Sequence, residues 1–211
     1  MRNVTDRTRN PFALNPPCDR SVPGYGDANA HFHVVGDHPG RHGGVEAGVP
    51  FTGTPTTERL QRALHEAGLL ETMGTSPVVD RTYLSYLHMG VVEADRDPTP
   101  AEYADMERFF DAELRAIAAH VIVPVGETAV RHVLREYTAQ DPAQADDLDA
   151  VHASEIRGAG WLVVPVLNPG DWAGDDGRRL VDALVAIQNT DYRQESDLGR
   201  FLAGNDPYFV R

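Results

Sequence analysis

The chain has 211 residues, 41% of them apolar, which suits one α/β-sized domain and excludes wholesale disorder. Its formal net charge is −13, and all 19 basic residues are arginine. With Cys18 as the single cysteine, an intramolecular disulfide and a cysteine-built zinc or iron–sulfur site are excluded.

Such an acidic, lysine-free composition fits a halophilic protein, one adapted to high salt; the alternative is an ordinary acidic protein from a GC-rich genome. A negative surface normally opposes nucleic acid, because neutralising phosphates drives that binding. At molar salt the screening length falls to about 3 Å, so repulsion fades with attraction and the net charge does not exclude DNA. No apolar run approaches the ~20 residues of a membrane helix. Met1–Arg7 is not followed by the apolar segment of a secretion signal. The expectation is a cytoplasmic monomer that does not engage a membrane.

In chain order, the first strand is expected over Ala30–Val35, closing at Gly36. Leu60, Ala63, Leu64 and Ala67 then follow at i, i+3, i+4 and i+7, the spacing of a buried helical stripe. Thr82–Leu87 reads as the second strand. Thr99-Pro100-Ala101-Glu102 is a capping box with proline at the first helical position, and Met106, Phe110, Leu114 and Ile117 continue it as one apolar face.

A third strand is expected over Val121–Val125, closing at Gly126, followed by a short helix through Ala129, Val133 and Leu134. Thr138–Ala150 is acidic and interrupted by proline, which predicts a solvated loop. Trp161–Leu167 is the fourth strand, closing at Asn168, and Leu180, Leu184 and Ile187 mark the last helix. Short β-branched runs closed by turn residues suit buried parallel strands, and their alternation with helices implies right-handed crossovers. The expected fold is therefore α/β, a three-layer α/β/α domain with a central four-stranded parallel sheet. One domain spans residues 1–211, with its core over about 20–188 and a tail over 189–211 whose packing the periodicity leaves open.

In open α/β sheets ligands bind beyond the carboxyl ends of the strands. The first strand ends in Gly36-Asp37-His38-Pro39-Gly40 and the last in Asn168-Pro169-Gly170-Asp171-Trp172. Parallel topology puts both loops at one edge of the sheet, where a carboxylate, an imidazole and an amide can converge. The histidines His31, His33 and His42 show no recognisable metal spacing, and no metal or organic cofactor is expected.

These motifs resemble the uracil-DNA glycosylase superfamily. Its thermostable, iron–sulfur branch reads G-E-A-P-G, then G-R-P-F, a strand closing near T-N, R-D-P-T-P and finally H-P-A. The counterparts here are Gly36–Gly40, Gly48-Val49-Pro50-Phe51, Tyr83-Leu84-Ser85-Tyr86, Arg96-Asp97-Pro98-Thr99-Pro100 and Asn168-Pro169-Gly170. Each motif alone is weak, but five in order at strand and helix boundaries are much stronger. The chain departs from that branch in lacking the cluster cysteines. Asp37 replaces the glutamate. His38 falls where the classical branch, with its G-Q-D-P-Y-H loop, carries a water-activating aspartate. Tyr86 falls where an asparagine would read the uracil edge, and Asn168 replaces the late histidine, although N-P-x is used in the mismatch-specific branch.

The resemblance implies a repair glycosylase that hydrolyses the N-glycosidic bond of uracil, or a related damaged base, in DNA. Such a base is rotated out of the duplex at a cost of a few kcal/mol. It leaves as an anion from an oxocarbenium-like sugar, and donors aimed at its O2 stabilise the developing charge. On this reading Asp37, His38 and Asn168 are catalytic. Gly36, Pro39, Gly40, Phe51 and Tyr86 hold the base, with Phe51 stacking on it. Pro169, Gly170 and Trp172 touch DNA. Each residue also has a structural reading: Asp37, His38 and Asn168 as turn formers, Phe51 and Tyr86 as core aromatics, Trp172 as a packed ring. Two other functions remain open, a relative that binds DNA or a nucleobase without cleaving, and a hydrolase of free nucleosides on the same scaffold.

Overall fold

The computed structural model describes residues 8–92, 96–117 and 119–190. The 189–211 tail lies, from residue 191 on, outside the described residues. Six strands form one sheet: β1 (Tyr25–Gly26), β2 (Phe32–Gly36), β3 (Thr82–Tyr86), β4 (Val121–Pro124), β5 (Ile156–Gly158) and β6 (Trp161–Val163). Their order is β1-β3-β2-β4-β6-β5. The four inner strands, β3, β2, β4 and β6, are mutually parallel, and the short outer strands β1 and β5 pair antiparallel to them. The central parallel sheet is thus as expected. The two edges are too short, at two and three residues, to carry a readable alternation.

Successive side chains of the inner strands enter opposite layers, as the pleat requires. Val34, Leu84, Val123 and Leu162 face a core built with Leu60, Leu64, Leu180 and Leu184. Val35, Ile122 and Val163 face the other, with Phe110, Leu114, Val133 and Leu134. The first layer belongs to α2 (Pro55–Glu66) and α6 (Asp176–Gln188), the second to α3 (Pro100–Ile117) and α4 (Glu127–Tyr137). Burying each of these leucines contributes roughly 1.5–3 kcal/mol. Strands covered on both faces explain why their sequences are runs of apolar residues.

Local chemistry sets the helix starts. Thr54 and Thr57 cap α2 reciprocally with Pro55 in the first turn. The expected box at α3 is present: the Thr99 N–H donates to the Glu102 carboxylate at 2.7 Å, and the Glu102 N–H donates to the Thr99 hydroxyl at 3.3 Å. A one-turn helix, α1 (Pro39–His42), follows β2 directly.

Two expectations change. The acidic stretch from Thr138 is not a solvated loop: a 3-10 helix over Pro142–Asp147 leads into α5 (Leu148–Val151). The Asp141 and Asp147 side chains accept the N–H groups of Ala143 and Ala150, so residues that look solvating act as caps, while Ala145 and Leu148 are buried under α4. The last strand has regular pairing only over Trp161–Val163, because Pro165 has no N–H to give the ladder. The chain nevertheless stays extended, with Val164 and Val166 donating to Ile122 and Pro124 at 2.9 Å each. That extension carries Asn168 to the same sheet edge as Asp37.

Candidate functional site

Asp37 is the first residue beyond β2 and is 2% exposed. The Tyr103 hydroxyl, from the first turns of α3, donates to Asp37 Oδ1. The Arg41 guanidinium lies 3.6 Å from Asp37 Oδ2, one turn along α1. Burial, and next the neighbouring carboxylate, push the Tyr103 phenol well above its ordinary range, so it remains a donor. Asp37, Arg41 and His42 share a cleft of about 220 Å³ with Gly126, Thr128, Leu167, Asn168 and Asp171. The two loops at the sheet edge therefore meet over one hollow, with the acid on one lip and the amide on the other.

Asn168 is held by its own loop. Its side-chain oxygen accepts the Gly170 N–H at 3.2 Å, leaving the amide NH2 group as a donor at the cleft. His152 fixes the strand end beneath it: Nδ1 accepts the Leu167 N–H at 3.0 Å, and Nε2 lies 3.0 Å from the Asp176 carbonyl, to which it donates. Burial lowers the His152 pKa, which favours the neutral tautomer these two bonds require. The Trp172 indole donates to the Leu167 carbonyl at 2.8 Å and lies against Gly177, so its ring is part of the loop's packing. Pro169 is buried, whereas Gly170 is exposed.

His38 points away from this hollow. It is 3% exposed, and its Nε2 meets the exposed Asp97 carboxylate at 3.0 Å. Pro39 starts α1, and a Cβ added at Gly40 would come within 3.0 Å of the His38 ring. The loop thus delivers Asp37 inward and uses His38 to tie the site to the segment before α3.

Phe51 and Tyr86, both fully buried, do not line the cleft but pack behind its His42 wall. Their ring centroids are 5.2 Å apart, and the His42 ring lies 5.7 Å from Phe51 and 6.3 Å from Tyr86. The Phe51 N–H donates to the Tyr86 hydroxyl at 2.7 Å, which donates to the His42 carbonyl at 2.8 Å. Gln61 donates to the Phe51 carbonyl at 2.7 Å. Phe51 itself has φ 57°, a left-handed conformation that costs a non-glycine residue on the order of 1–3 kcal/mol. The hydrogen bonds at both ends of Phe51 hold it there. A Cβ on Gly36 would come within 2.8 Å of the Phe51 ring and 2.9 Å of the Tyr86 ring, so only glycine fits that close approach.

With this geometry in place, comparison with known proteins is decisive. The sequence model of the Uracil DNA glycosylase superfamily matches residues 23–183. The chain belongs to the uracil-DNA glycosylase superfamily. Similar relatives include a type-5 uracil-DNA glycosylase of Thermus thermophilus, 35% identical over 60% of this chain and 59% of that protein. Another, of Pyrobaculum aerophilum, is 29% identical over 80% of this chain and 74% of that protein. A third, of Mycobacterium bovis, is 30% identical over 60% of this chain and 50% of that protein. The chain thus spans about half to three quarters of the length of these relatives, which carry the type-5 name; the motifs in the sequence read nearest to the cluster-bearing thermostable branch.

Within the superfamily frame, several residues at the site were not legible beforehand. Tyr103 and Arg41 grip Asp37 although neither lies in a motif core. His42 is 1% exposed, and its Nε2 has no hydrogen-bond partner among the described residues. Burial, then Arg41 and His38, push its pKa down to about 3, so it is a neutral imidazole in the wall of the cleft. A four-cysteine cluster does not fit a chain with one cysteine. Among the described residues no group of three or more His, Cys, Asp or Glu side chains could hold a metal ion, and no helix is long and apolar enough to cross a membrane.

Proposed function

We propose that the protein hydrolyses the N-glycosidic bond of uracil, or a related damaged base, flipped out of DNA into the Asp37–Asn168 cleft. The observation that carries this reading is the shared hollow: a buried carboxylate and an amide donor from strands far apart in sequence face one base-sized space. Asp37, gripped by Tyr103 and Arg41, would stabilise the cationic sugar or orient the attacking water. The Asn168 NH2 group would donate to O2 of the departing base, where one well-aimed donor is typically worth about 2.7–4 kcal/mol. His42 would wall the base without adding charge. Purified protein incubated at molar salt with single- and double-stranded uracil DNA should generate abasic sites, scored as alkali-labile ends, and Asp37→Asn should abolish them. Wild-type protein that leaves no such ends sinks the reading.

One observation favours a second reading, a superfamily member that binds DNA or a nucleobase without cleaving. The Tyr86 ring occupies the position where the superfamily resemblance places a base-reading asparagine, and Phe51 has no exposed face to stack on a base. Protein that shifts DNA mobility without forming alkali-labile ends, unchanged in Asp37→Asn, would establish it.

A further inference from the structure

A groove of about 530 Å³ runs between α2 and α6, lined by Arg59, Arg62 and Arg178 together with Trp172, Glu66 and Asp182. It opens beside the loop that carries Asn168. Arg59 donates to the carbonyls of Pro169 and Trp172, at 3.3 and 3.5 Å, and a Cβ added at Gly170 would lie 3.6 Å from Thr56. We infer that this groove takes the sugar–phosphate backbone of the DNA strand flanking the flipped nucleotide, with Arg62 and Arg178 as its phosphate contacts. The inference rests on the glycosylase reading for the placement of the flipped base, but not on catalysis.

Charge is the argument. On a chain with a net charge of −13, a polyanion is repelled almost everywhere, so locally positive ground decides where it lies. Most described arginines are neutralised by carboxylates, as in the Arg96–Glu102 and Arg131–Asp146 pairs at 2.8 and 2.6 Å. Among the described residues Arg59 and Arg62 pair with no carboxylate, as is true of Arg9, Arg20 and Arg108, but of these five only Arg59 and Arg62 line this groove. Arg178 meets Asp182 only at 3.6 Å, with both side chains more than two-thirds exposed, a contact that a phosphate can displace at little cost. Glu66 and Asp182 leave the groove with an excess of one positive charge over the residues that line it. Trp172 at its head adds an aromatic edge where the strand enters, the combination of cationic groove and aromatic ring that suits a nucleic-acid strand.

The test is the salt dependence of binding to fluorescein-labelled DNA without uracil, single-stranded and duplex, by anisotropy from low to near-molar potassium chloride. The double variant Arg62→Ala/Arg178→Ala should bind several-fold more weakly at low salt. Its slope of log affinity against log salt should flatten by about 0.7–0.9 per arginine removed. Arg108→Ala/Arg115→Ala, on the other helical layer, should match wild type. Arg59 is left in place because it holds the loop backbone, and melting temperatures verify that each variant is folded. An unchanged slope in the groove variant overturns the track, as does wild-type protein that binds neither DNA. Abasic-site formation is scored separately. Wild type that cleaves while the groove variant keeps its slope refutes the track alone, whereas a lost slope without cleavage refutes the glycosylase reading alone.

Discussion

The Tyr103 hydroxyl donates to the Asp37 carboxylate across the space between α3 and the end of β2, joining residues 66 positions apart. A buried carboxylate needs such donors, because removing one partner leaves the other with its desolvation unmet.

Tyr103→Phe tests that bond while keeping the ring. Unfolding free energy should fall by about 1.5–3 kcal/mol, the usual worth of a hydrogen bond to a charged group. Urea denaturation measures it. If Asp37 serves the reaction, abasic-site formation should fall by roughly tenfold or more, each tenfold corresponding to about 1.4 kcal/mol.

Tyr86→Asn removes the ring packed beneath Gly36. Losing a buried aromatic should cost about 3–5 kcal/mol of stability, and the Phe51 N–H loses its acceptor. The opened slot should then bind free uracil, seen as a rise in melting temperature that wild type does not show. Equal responses of the two proteins to uracil would mean that Tyr86 does not close the pocket.

Gly36→Ala should be poorly tolerated, because the new Cβ meets two ring edges that are themselves packed against His42. Overpacking of this kind typically costs about 1–3 kcal/mol. Thermal melts of Gly36→Ala alone and combined with Phe51→Leu measure it, and the second substitution should recover part of the loss.

Glu113 supplies a pH signature away from the site. It is fully buried, accepts from the Tyr83 hydroxyl at 2.9 Å and the Gly24 N–H at 3.2 Å, and its Oε2 has no partner among the described residues. Burial pushes its pKa up to about 7. Between the ordinary carboxylate value and about 7 the native state holds a proton that the unfolded chain releases. Its contribution is therefore complete at acid pH and is lost as pH rises, by about 1.4 kcal/mol per unit at most. His33 and His42, held near 3 by burial, act in the opposite sense: they remove stability as pH falls below their ordinary value. The difference between wild type and Glu113→Gln isolates the carboxyl term. The variant should gain relative stability from about pH 5 to 7, and a flat difference would show that Glu113 is not protonated in the fold.

The parallel core was legible because each inner strand is an apolar run and each helix repeats its apolar residues at helical spacing. The start of α3 was legible because Thr99 and Glu102 satisfy orphan N–H groups locally. Asp37 and Asn168 could be placed at one sheet edge because parallel strands end on the same side. Tyr103, Arg41 and His42 could not be read in advance, because their roles depend on which distant atoms they reach. Asp141 and Asp147 differ: each stays exposed and still accepts a backbone N–H two or three residues further on, so an acidic stretch that reads as solvated is locally capped as well.

By itself the sequence determined an α/β chain whose inner strands lie parallel, and it named the two turns that carry the acid and the amide. These follow from periodicity and local hydrogen bonding, which act over a few residues. Only the tertiary structure decided that the Tyr86 ring is buried against Phe51, that Tyr103 grips Asp37 and that, among the described residues, Arg59 and Arg62 stand without carboxylate partners beside the Asn168 loop. Those outcomes come from packing among groups far apart along the chain, where close contact leaves no room for alternatives and no short-range pattern records the result.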